Sequence, residues 1–366
     1  MLQKYAHLLV NYSLCIKPGD KLFIQTTTLA EPLVKEIYRE AIRAGAALVE
    51  TDLIFRERTR IFLTEANEVQ LQTVSLLYKL AMETFDAYLH IRAPFNSSED
   101  KNIDAAKAKI RNIALSPIHQ TYIERTGTRA LKRNLCQYPT DAAAQDAGMS
   151  LEEYTHFVFN ACKLFEPDST QAWLDLRAQQ QHIVDYLNTK ESVRYVNENS
   201  GTDIYFNTKG RTWINSDGQT NMPSGEVYTS PVEDSVNGKI HFTLNSIYGG
   251  VEVEGVTLWV KNGIVEKWDA IRGKDFLDNI FSIEGARQFG EAAIGTNTGI
   301  GRITKNILFD EKIGGTVHMA IGQSYQQCGG KNQSSVHWDM ITDMTNGGKI
   351  FADGTLMYEN GVFLIG

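Results

Sequence analysis

Paired cysteines are missing from this chain. The four cysteines, Cys15, Cys136, Cys162 and Cys328, are far apart and form no CxxC motif. This pattern argues against a disulfide framework and favours reduced thiols, so we expect a cytoplasmic protein. The N-terminal segment has no basic region followed by a long apolar run and a small-residue cleavage site, so we also expect no signal peptide.

Long apolar runs and basic clusters are missing as well. No stretch of about 18 consecutive apolar residues occurs, so we expect no membrane-spanning helix. The net charge is −8 and no block of Lys and Arg stands out, which argues against nucleic acid as a partner, because phosphate binding needs clustered cations. The first half contains neither GxGxxG nor GxxxxGK[ST], so we expect no phosphate-binding loop there.

The 366 residues fit two domains, and the first has the pattern of an α/β fold. "KPGDKLFIQTT", "AEPLVKEIYREAIRAGA" and "ALVETDLIF" predict a strand, a helix and a strand, with Pro32 in the first helical turn and Gly45 at the helix end. Such a βαβ unit implies a parallel sheet. Helices follow between residues 140 and 188, one of them opened by a capping box at Ser150–Glu153. We predict an α/β domain with a parallel sheet over residues 1–190.

Short β runs dominate the second half. Asn-Gly pairs at 237–238, 262–263 and 360–361 lie between apolar runs and predict hairpins, and one helix is expected near residues 274–293. We therefore predict that residues 191–366 form a β-rich, largely antiparallel α+β domain that carries the catalytic site.

Two alternating stretches in this half are candidates for a metal site. In "TVHMAIG" the side chain of His318 lies opposite an apolar face, and in "VHWDM" His337 and Asp339 share one face while their neighbours are apolar. Residues two apart on a strand are roughly 6.5–7 Å apart, so their side chains can converge on one ion. Two imidazoles and a carboxylate suit a divalent transition metal.

Each of these residues alone has a simpler interpretation. A single histidine beside an apolar strand is more often a hydrogen-bonded structural residue, and a single glutamate is more often a solvated surface acid. The joint pattern favours metal, because Glu226, Glu291 and Glu311 all lie beside Gly-rich turns that can place a carboxylate in a cavity. Four buried carboxylates would repel one another without cations, whereas two divalent ions would balance their charge.

Four motifs together resemble a known family. "NMPSGEVYTSP", "FGEAAIGTN", "DEKIGGTVHMAIGQSY" and "GGKNQSSVHWDM" are similar to the thermophilic-type metalloaminopeptidases, the group of aminopeptidase T, aminopeptidase S and PepS. The resemblance continues upstream through "YPTDAAAQDAGMSLEEYTHFVF" and the opening βαβ unit, so it covers nearly the whole chain. It implies an aminopeptidase with two divalent ions (zinc, cobalt, manganese or magnesium) that acts on short peptides as a homodimer around an internal chamber.

The resemblance also implies roles for individual residues. The positions that match the family's metal ligands are Glu226, Glu291, Glu311, His318, His337 and Asp339. Glu291 matches the bridging carboxylate, for which Glu284 is a lesser rival, and Tyr325 matches the catalytic tyrosine. The segment between Glu311 and His318 is longer than in the aminopeptidase T type. The expected mechanism is attack by a metal-bound hydroxide, with Tyr325 donating to the oxyanion; the sequence does not identify the general base.

Two other functions fit part of the pattern. The histidines His318 and His337 with Asp339 could form the two-histidine, one-carboxylate site of a non-haem iron(II) ring-cleaving dioxygenase. Such a mononuclear site does not need three additional glutamates, so their presence favours the peptidase. The second alternative is a binding protein without catalysis, which a chelator-sensitive peptidase activity would exclude.

Overall fold

The computed structural model describes residues 1–99 and 103–365. The chain forms two compact units, the first Met1–Thr170 with Gly218–Pro223 and the second Gln171–Asp217 with Ser224–Gly366. The domain boundary expected at residue 190 remains a prediction. Most of the helix Ser169–Leu187 lies in the second unit, where the Gln180 side-chain amide donates to the carbonyl oxygens of Ser216 (3.0 Å) and Glu226 (3.1 Å).

The first unit contains a parallel sheet, as predicted. Its strands, numbered along the whole chain, are β1 (Lys21–Thr27), β2 (Leu48–Ile54), β3 (Ala87–Arg92), β4 (Lys132–Gln137) and β8 (Asn221–Met222). They are arranged in the order β2-β1-β3-β4-β8, and every neighbouring pair is parallel. The helices of this unit are α1 (Leu2–His7), α2 (Glu31–Arg43), α3 (Arg58–Glu65), α4 (Glu68–Gln72), α5 (Leu76–Thr84), α6 (Ala105–Gly127), α7 (Asp141–Asp146) and α8 (Leu151–Ala161), with a π-helix at Leu8–Ser13 and a 3₁₀ helix at Thr28–Ala30.

Local sequence signals explain this unit well. Helix α2 buries Leu33, Val34, Ile37 and Ala41, which keep helical spacing, and Gly45 follows it with a φ of +90°. The predicted capping box opens α8: the backbone N–H of Glu153 donates to Ser150 Oγ (3.2 Å) and that of Ser150 donates to Glu153 Oε2 (2.8 Å). The βαβ prediction is therefore confirmed.

His90, near the end of β3, gives this unit an acid-sensitive group. Burial and the nearby charge of Arg92 lower the pKa of His90 to about 4, and its Nδ1 lies 3.3 Å from the hydroxyl of Tyr88. Between pH 6.5 and 4, His90 is protonated in the unfolded chain but stays neutral in the folded chain. The free energy of unfolding therefore falls as the pH falls through this range. We expect His90→Gln to reduce that loss by about 2 kcal/mol, measured as the free energy of unfolding in urea at each pH. His119→Gln, at an exposed position of α6, is the matched control, and equal pH slopes for wild type and His90→Gln would contradict the prediction.

The second unit is built from antiparallel strands, as predicted. They are β5 (Ser192–Asn197), β6 (Thr202–Asn207), β7 (Ile214–Ser216), β9 (Glu226–Thr229), β10 (Asn237–His241), β11 (Ser246–Tyr248), β12 (Val251–Val253), β13 (Thr257–Lys261), β14 (Ile264–Asp269), β15 (Phe289–Gly295), β16 (Thr316–Gly322), β17 (His337–Asp343), β18 (Gly348–Ala352), β19 (Thr355–Glu359) and β20 (Val362–Phe363). The helices are α9 (Ser169–Leu187), α10 (Lys274–Ile280) and α11 (Ile307–Asp310), with a 3₁₀ helix at Gln326–Cys328. Sheets of eight strands (β14-β13-β10-β6-β5-β18-β19-β20) and five strands (β17-β16-β15-β9-β7) accompany the β11–β12 hairpin.

The two larger sheets of this unit share one apolar core. The eight-stranded sheet contributes residues such as Tyr195 and Leu258, and the five-stranded sheet contributes Phe289, Met319 and Trp338. The apolar side chains of β15, β16 and β17 therefore point into the core from one face of their sheet. The alternate positions lie on the opposite face, which leaves that face available for polar side chains.

Two local predictions in this unit are wrong. The helix expected over residues 274–293 ends at Ile280, and Phe289–Gly295 form the strand β15, all seven residues of which are buried. Gly285, with a φ of +74°, separates the two elements, and pairing with β9 and β16 outweighs the helix propensity of the Ala and Glu residues. The Asn237–Gly238 pair lies inside β10 and forms no hairpin turn, whereas Asn262–Gly263 and Asn360–Gly361 connect paired strands as predicted.

One irregularity of β15 matters for the site. Phe289 pairs with Ile321, but Glu291 pairs with the next residue, Ala320, so Gly290 is an extra residue that forms a β-bulge. A Cβ atom at position 290 would lie 2.1 Å from the carbonyl oxygen of Gln323, so only glycine fits. The bulge turns Glu291 away from the core that contains Phe289.

In the described ranges 1–99 and 103–365, no helix is both long and apolar enough to cross a membrane.

Candidate metal centre

The face of the five-stranded sheet opposite the core carries most of the predicted ligands. Strand β9 contributes Glu226, β15 contributes Glu291, β16 contributes His318, and β17 contributes His337 and Asp339. Small residues lie directly beside them on the same face: Gly295 pairs with Glu226, Ala293 with His318, Ala320 with both Glu291 and Asp339, and Gly322 with His337. The small neighbours leave space into which the longer polar side chains converge.

Glu291 lies at the centre of this cluster. Two groups of possible ligands, Glu226–Glu291–His318 and Glu291–His337–Asp339, each bring their ligand atoms within 4.8 Å of one another. Oε1 of Glu291 lies 3.6 Å from Nε2 of His318, and its Oε2 lies 3.2 Å from Nε2 of His337. The two carboxylate oxygens of one residue thus face two different imidazoles.

The remaining distances complete each group. Nε2 of His318 lies 3.3 Å from Oε2 of Glu226, and Nε2 of His337 lies 3.7 Å from Oδ2 of Asp339. Nδ1 of His337 lies 2.8 Å from the carbonyl oxygen of Gln323, to which its N–H donates. This bond orients the ring and directs Nε2 into the cluster, as is usual for a histidine that binds a metal.

The charges of the cluster are poorly balanced without a metal. Burial raises the pKa of Glu226 and of Asp339 to about 7 each. Burial acts in the same direction on Glu291, but the two neighbouring imidazoles lower its pKa to about 2. Burial would lower the pKa values of the histidines, yet the carboxylates raise them to about 9 for His318 and about 10 for His337. The metal-free cluster therefore takes up protons that bound cations would displace.

The cluster also contains buried polar atoms that make no hydrogen bond. Within the described part of the chain, Glu226 Oε2, Asp339 Oδ1 and both ring nitrogens of His318 have no hydrogen-bond partner; the 3.3 Å contact between His318 Nε2 and Glu226 Oε2 lacks the geometry of a hydrogen bond. Buried polar atoms are normally satisfied, so such a concentration requires an explanation. Carboxylate oxygens and imidazole nitrogens are ligands of divalent transition metals, and the donor set therefore fits the metal that the sequence predicted.

Glu311 does not join either group. Its carboxylate forms an ion pair with the ammonium group of the next residue, Lys312, whose side chain is fully buried. The same ammonium nitrogen lies 3.6 Å from Oε1 of Glu226. The structure thus brings five of the six predicted ligands together and places Glu311 at the margin, where a lysine holds it. Glu284, the lesser rival for the bridging role, is exposed to solvent and lies outside both groups.

Tyr325 lies beside the second group. Its hydroxyl is 3.3 Å from Nε2 of His337, and the two ring centroids are 5.1 Å apart. Burial, together with the charges of Glu291 and Asp339, raises the pKa of Tyr325 well above its usual value, so the phenol keeps its proton at neutral pH. The backbone N–H of Tyr325 donates to Ser230 Oγ (3.1 Å), which donates to the carbonyl oxygen of Gly290 (2.7 Å).

Three residues near the site were not predicted from the sequence: Lys312, Ser230 and Tyr228. Tyr228 lies two positions after Glu226 on β9, its ring centroid is 5.3 Å from that of Tyr325, and its hydroxyl accepts from Gln327 Nε2 (3.2 Å). Strand alternation from Glu226 could have indicated Tyr228, and proximity in sequence to Glu311 could have indicated Lys312. No sequence signal links Ser230 to the loop that carries Tyr325.

A buried sheet face that gathers carboxylates and imidazoles around one shared glutamate is a candidate centre for divalent metal. Residues 1–363 match the family described as "Thermophilic metalloprotease (M29)", and the chain belongs to this family. The resemblance stated from the sequence motifs is thereby confirmed, and the protein is a metallo-aminopeptidase.

Named relatives extend over most of the chain. "Aminopeptidase 2" of Geobacillus stearothermophilus is 28% identical over 350 residues, which cover 88% of this chain and 84% of the relative. "Aminopeptidase PepS" of Streptococcus thermophilus is 26% identical over 413 aligned positions, covering 100% of this chain and 98% of the relative. The solved structure "Wild-type AmpT from Thermus thermophilus" has the same fold, with a TM-score of 0.85, 22% identity, and coverage of 100% of this chain and 99% of that one.

The dioxygenase alternative receives no support from these relatives or from the geometry. A mononuclear iron site would need His318 and His337 around one ion, but each histidine belongs to a different group, and the groups share only Glu291.

Proposed function

We propose that this metalloprotease binds two divalent ions per chain and removes N-terminal residues from short peptides. The observation that carries the proposal is the position of Glu291, whose two carboxylate oxygens face His318 and His337 separately. A single ion could use only one of these imidazoles together with the shared carboxylate. The six residues predicted as ligands remain the proposed set, with Glu311 able to join only if it leaves Lys312.

Charge supports two ions. Glu226, Glu291 and Asp339 carry three negative charges when ionised, and Lys312 offsets Glu311. One divalent ion would leave a buried negative charge, whereas two would leave a single positive charge that a hydroxide or an oxyanion can balance. Carboxylate and imidazole ligands are compatible with zinc, cobalt, manganese or magnesium, to different degrees.

Among the clustered ligands, His337 has the most exposed side chain. The side chain of His337 is 26% exposed, whereas those of Glu226, Glu291 and His318 are 7%, 5% and 1% exposed. A peptide would therefore approach beside His337 and Tyr325. Its free α-amino group would pair with the carboxylate of Asp339, whose side chain is 10% exposed. A blocked N-terminus could not make this contact.

The residues of the chain then have defined tasks in peptide hydrolysis. Divalent ions bound here would supply a water of lowered pKa and would polarise the scissile carbonyl. Tyr325 keeps a protonated phenol 3.3 Å from His337 Nε2 and can donate to the oxyanion that forms on this side. Glu291 belongs to both ligand groups and fixes their relative position. Burial excludes bulk water from the ligands.

We expect the wild-type protein to release p-nitroaniline from aminoacyl p-nitroanilides and to lose this activity completely on chelation. Titrating zinc, cobalt, manganese or magnesium into the chelated protein should restore turnover, with the activity reaching its maximum at two ions per chain, as counted by elemental analysis. The N-acetylated substrate is the matched control and should react at least about a hundredfold more slowly, because it lacks the α-ammonium group. Full activity at one ion per chain, or equal cleavage of the acetylated substrate, would refute the proposal.

The location and assembly expected from the sequence belong to the same proposal. Free thiols at Cys15, Cys136, Cys162 and Cys328 are consistent with a cytoplasmic protein. The homodimer around an internal chamber, and with it the preference for short peptides, rests on the family resemblance.

A further inference from the structure

Lys312 is a buried cation that the proposed mechanism does not use. It follows α11, and its side chain has no exposed surface. Its backbone is fixed on both sides, since its N–H donates to the carbonyl oxygen of Phe309 (3.0 Å) and its carbonyl oxygen accepts from the N–H of Asn297 (3.0 Å). The side chain is therefore directed into the cluster by well-anchored backbone, and it cannot contact a peptide that enters beside His337.

The surroundings of the ammonium group are those of a counter-ion. It forms an ion pair with Glu311 and lies 3.6 Å from Oε1 of Glu226, whose other oxygen faces His318. Burying an ammonium group costs free energy unless carboxylates compensate its charge. Burying a carboxylate likewise costs free energy unless a cation compensates it. Lys312 and the ions proposed for the site therefore interact with the same negative groups, and each reduces the need for the other.

We propose that Lys312 is an internal counter-ion of the metal centre, which keeps Glu311 and Glu226 in place in the metal-free protein and weakens the binding of the ion next to Glu226. This inference deepens the proposed function and rests on it for the presence of two ions. Lys312 is a positioning residue: it acts through Glu226 and Glu311 and touches neither substrate nor reacting atoms.

The proposal has one thermodynamic consequence. Removing the ammonium group leaves the buried Glu226 and Glu311, whose side chain is 15% exposed, without a cation in the metal-free protein, whereas bound cations compensate them in the loaded protein. The substitution should therefore destabilise the metal-free state more than the loaded state. By linkage, the same difference must appear as tighter metal binding, because the loss of a nearby positive charge and the release of a carboxylate both favour a cation.

The test compares Lys312→Met with wild type in the chelated and the zinc-loaded form. The midpoint of thermal unfolding of the chelated variant should fall by about 5 °C or more, while that of the loaded variant stays within about 2 °C of wild type. Competition with a chromophoric chelator should show zinc bound at least about tenfold more tightly by the variant. Lys209→Met is the matched control, since Lys209 pairs with Glu191 at the surface, with 70% and 60% of the side chains exposed.

A second variant keeps the result interpretable if chelated Lys312→Met does not fold. Lys312→Met combined with Glu311→Gln removes both members of the pair and should recover most of the stability of the metal-free protein. Equal destabilisation of Lys312→Met with and without zinc, weaker zinc binding, or no recovery in the double variant would each overturn the proposal. These measurements do not depend on turnover, so they stand or fall separately from the aminopeptidase assay.

Discussion

Replacing Glu291 by glutamine should reduce aminopeptidase turnover by well over about a hundredfold and should lower the content of both metal ions. Loss of a residue that merely supports a metal ligand already costs about 10- to 100-fold. Glu291 is expected to cost more, because it is the one residue that belongs to both ligand groups. The amide keeps the size of the side chain but loses the charge that His318 and His337 stabilise. Turnover of p-nitroanilide substrates and elemental analysis of the purified variant measure the two effects.

The chain offers a matched control for this substitution. Glu284→Gln makes the same chemical change seven positions earlier, at an exposed residue outside the cluster, and should leave turnover and metal content as in wild type. Circular dichroism should show that both variants are folded. If Glu291→Gln binds two ions and turns over at a near-normal rate, the shared carboxylate has no bridging role and the proposed centre is wrong.

The second large effect should come from Tyr325→Phe. Removing one oxyanion donor typically costs about a hundredfold or more in kcat, and we expect a loss of that size with two ions retained. The phenol lies 3.3 Å from His337 Nε2 but belongs to neither ligand group, so its loss should separate catalysis from metal binding. KM should change little, because the bond to the oxyanion forms only in the transition state.

Steady-state kinetics together with elemental analysis decide this prediction. Tyr205→Phe, at a position that is 41% exposed on β6, is the matched control for the loss of a phenolic hydroxyl. A Tyr325→Phe variant that loses metal in proportion to its activity would show that the tyrosine supports the ligands instead of the transition state. A rise in KM with unchanged kcat would assign it to ground-state binding.

Much of the fold could be predicted because its signals are local. Pro32, Gly45 and the Ser150–Glu153 capping box mark helix ends through short-range backbone chemistry, and the Asn262–Gly263 pair forms the turn between β13 and β14. Strand β15 could not be predicted in the same way. Its Ala and Glu residues favour a helix, and only pairing with β9 and β16, which are distant in sequence, makes it a buried strand.

The residues of the site likewise fall into those that local sequence signals indicate and those that they do not. Strand alternation correctly indicated that His318, His337 and Asp339 leave the apolar face, since period 2 follows from backbone geometry alone. The Gly-rich turns indicated Glu226, Glu291 and Glu311 as candidates, and the family resemblance added Tyr325 and the role of each residue. Sequence spacing alone cannot show that these residues converge in space. The ion pair between Glu311 and Lys312 could not be predicted, because the side chains of adjacent residues in a loop have no fixed relative geometry. Whether they form an ion pair depends on how the fold buries them.

The bulge at Gly290 shows what sets the direction of the central glutamate. Phe289 and Glu291 would share a face on a regular strand, and the extra glycine places one in the core and the other among the imidazoles. The direction of this carboxylate is therefore set by the extra residue in the strand, and it does not depend on attraction to a cation. A designer who moved the sheet into a new scaffold and rebuilt β15 as a regular strand, with Gly290 paired like its neighbours, would retain every ligand in the sequence and turn the most important one into the apolar core.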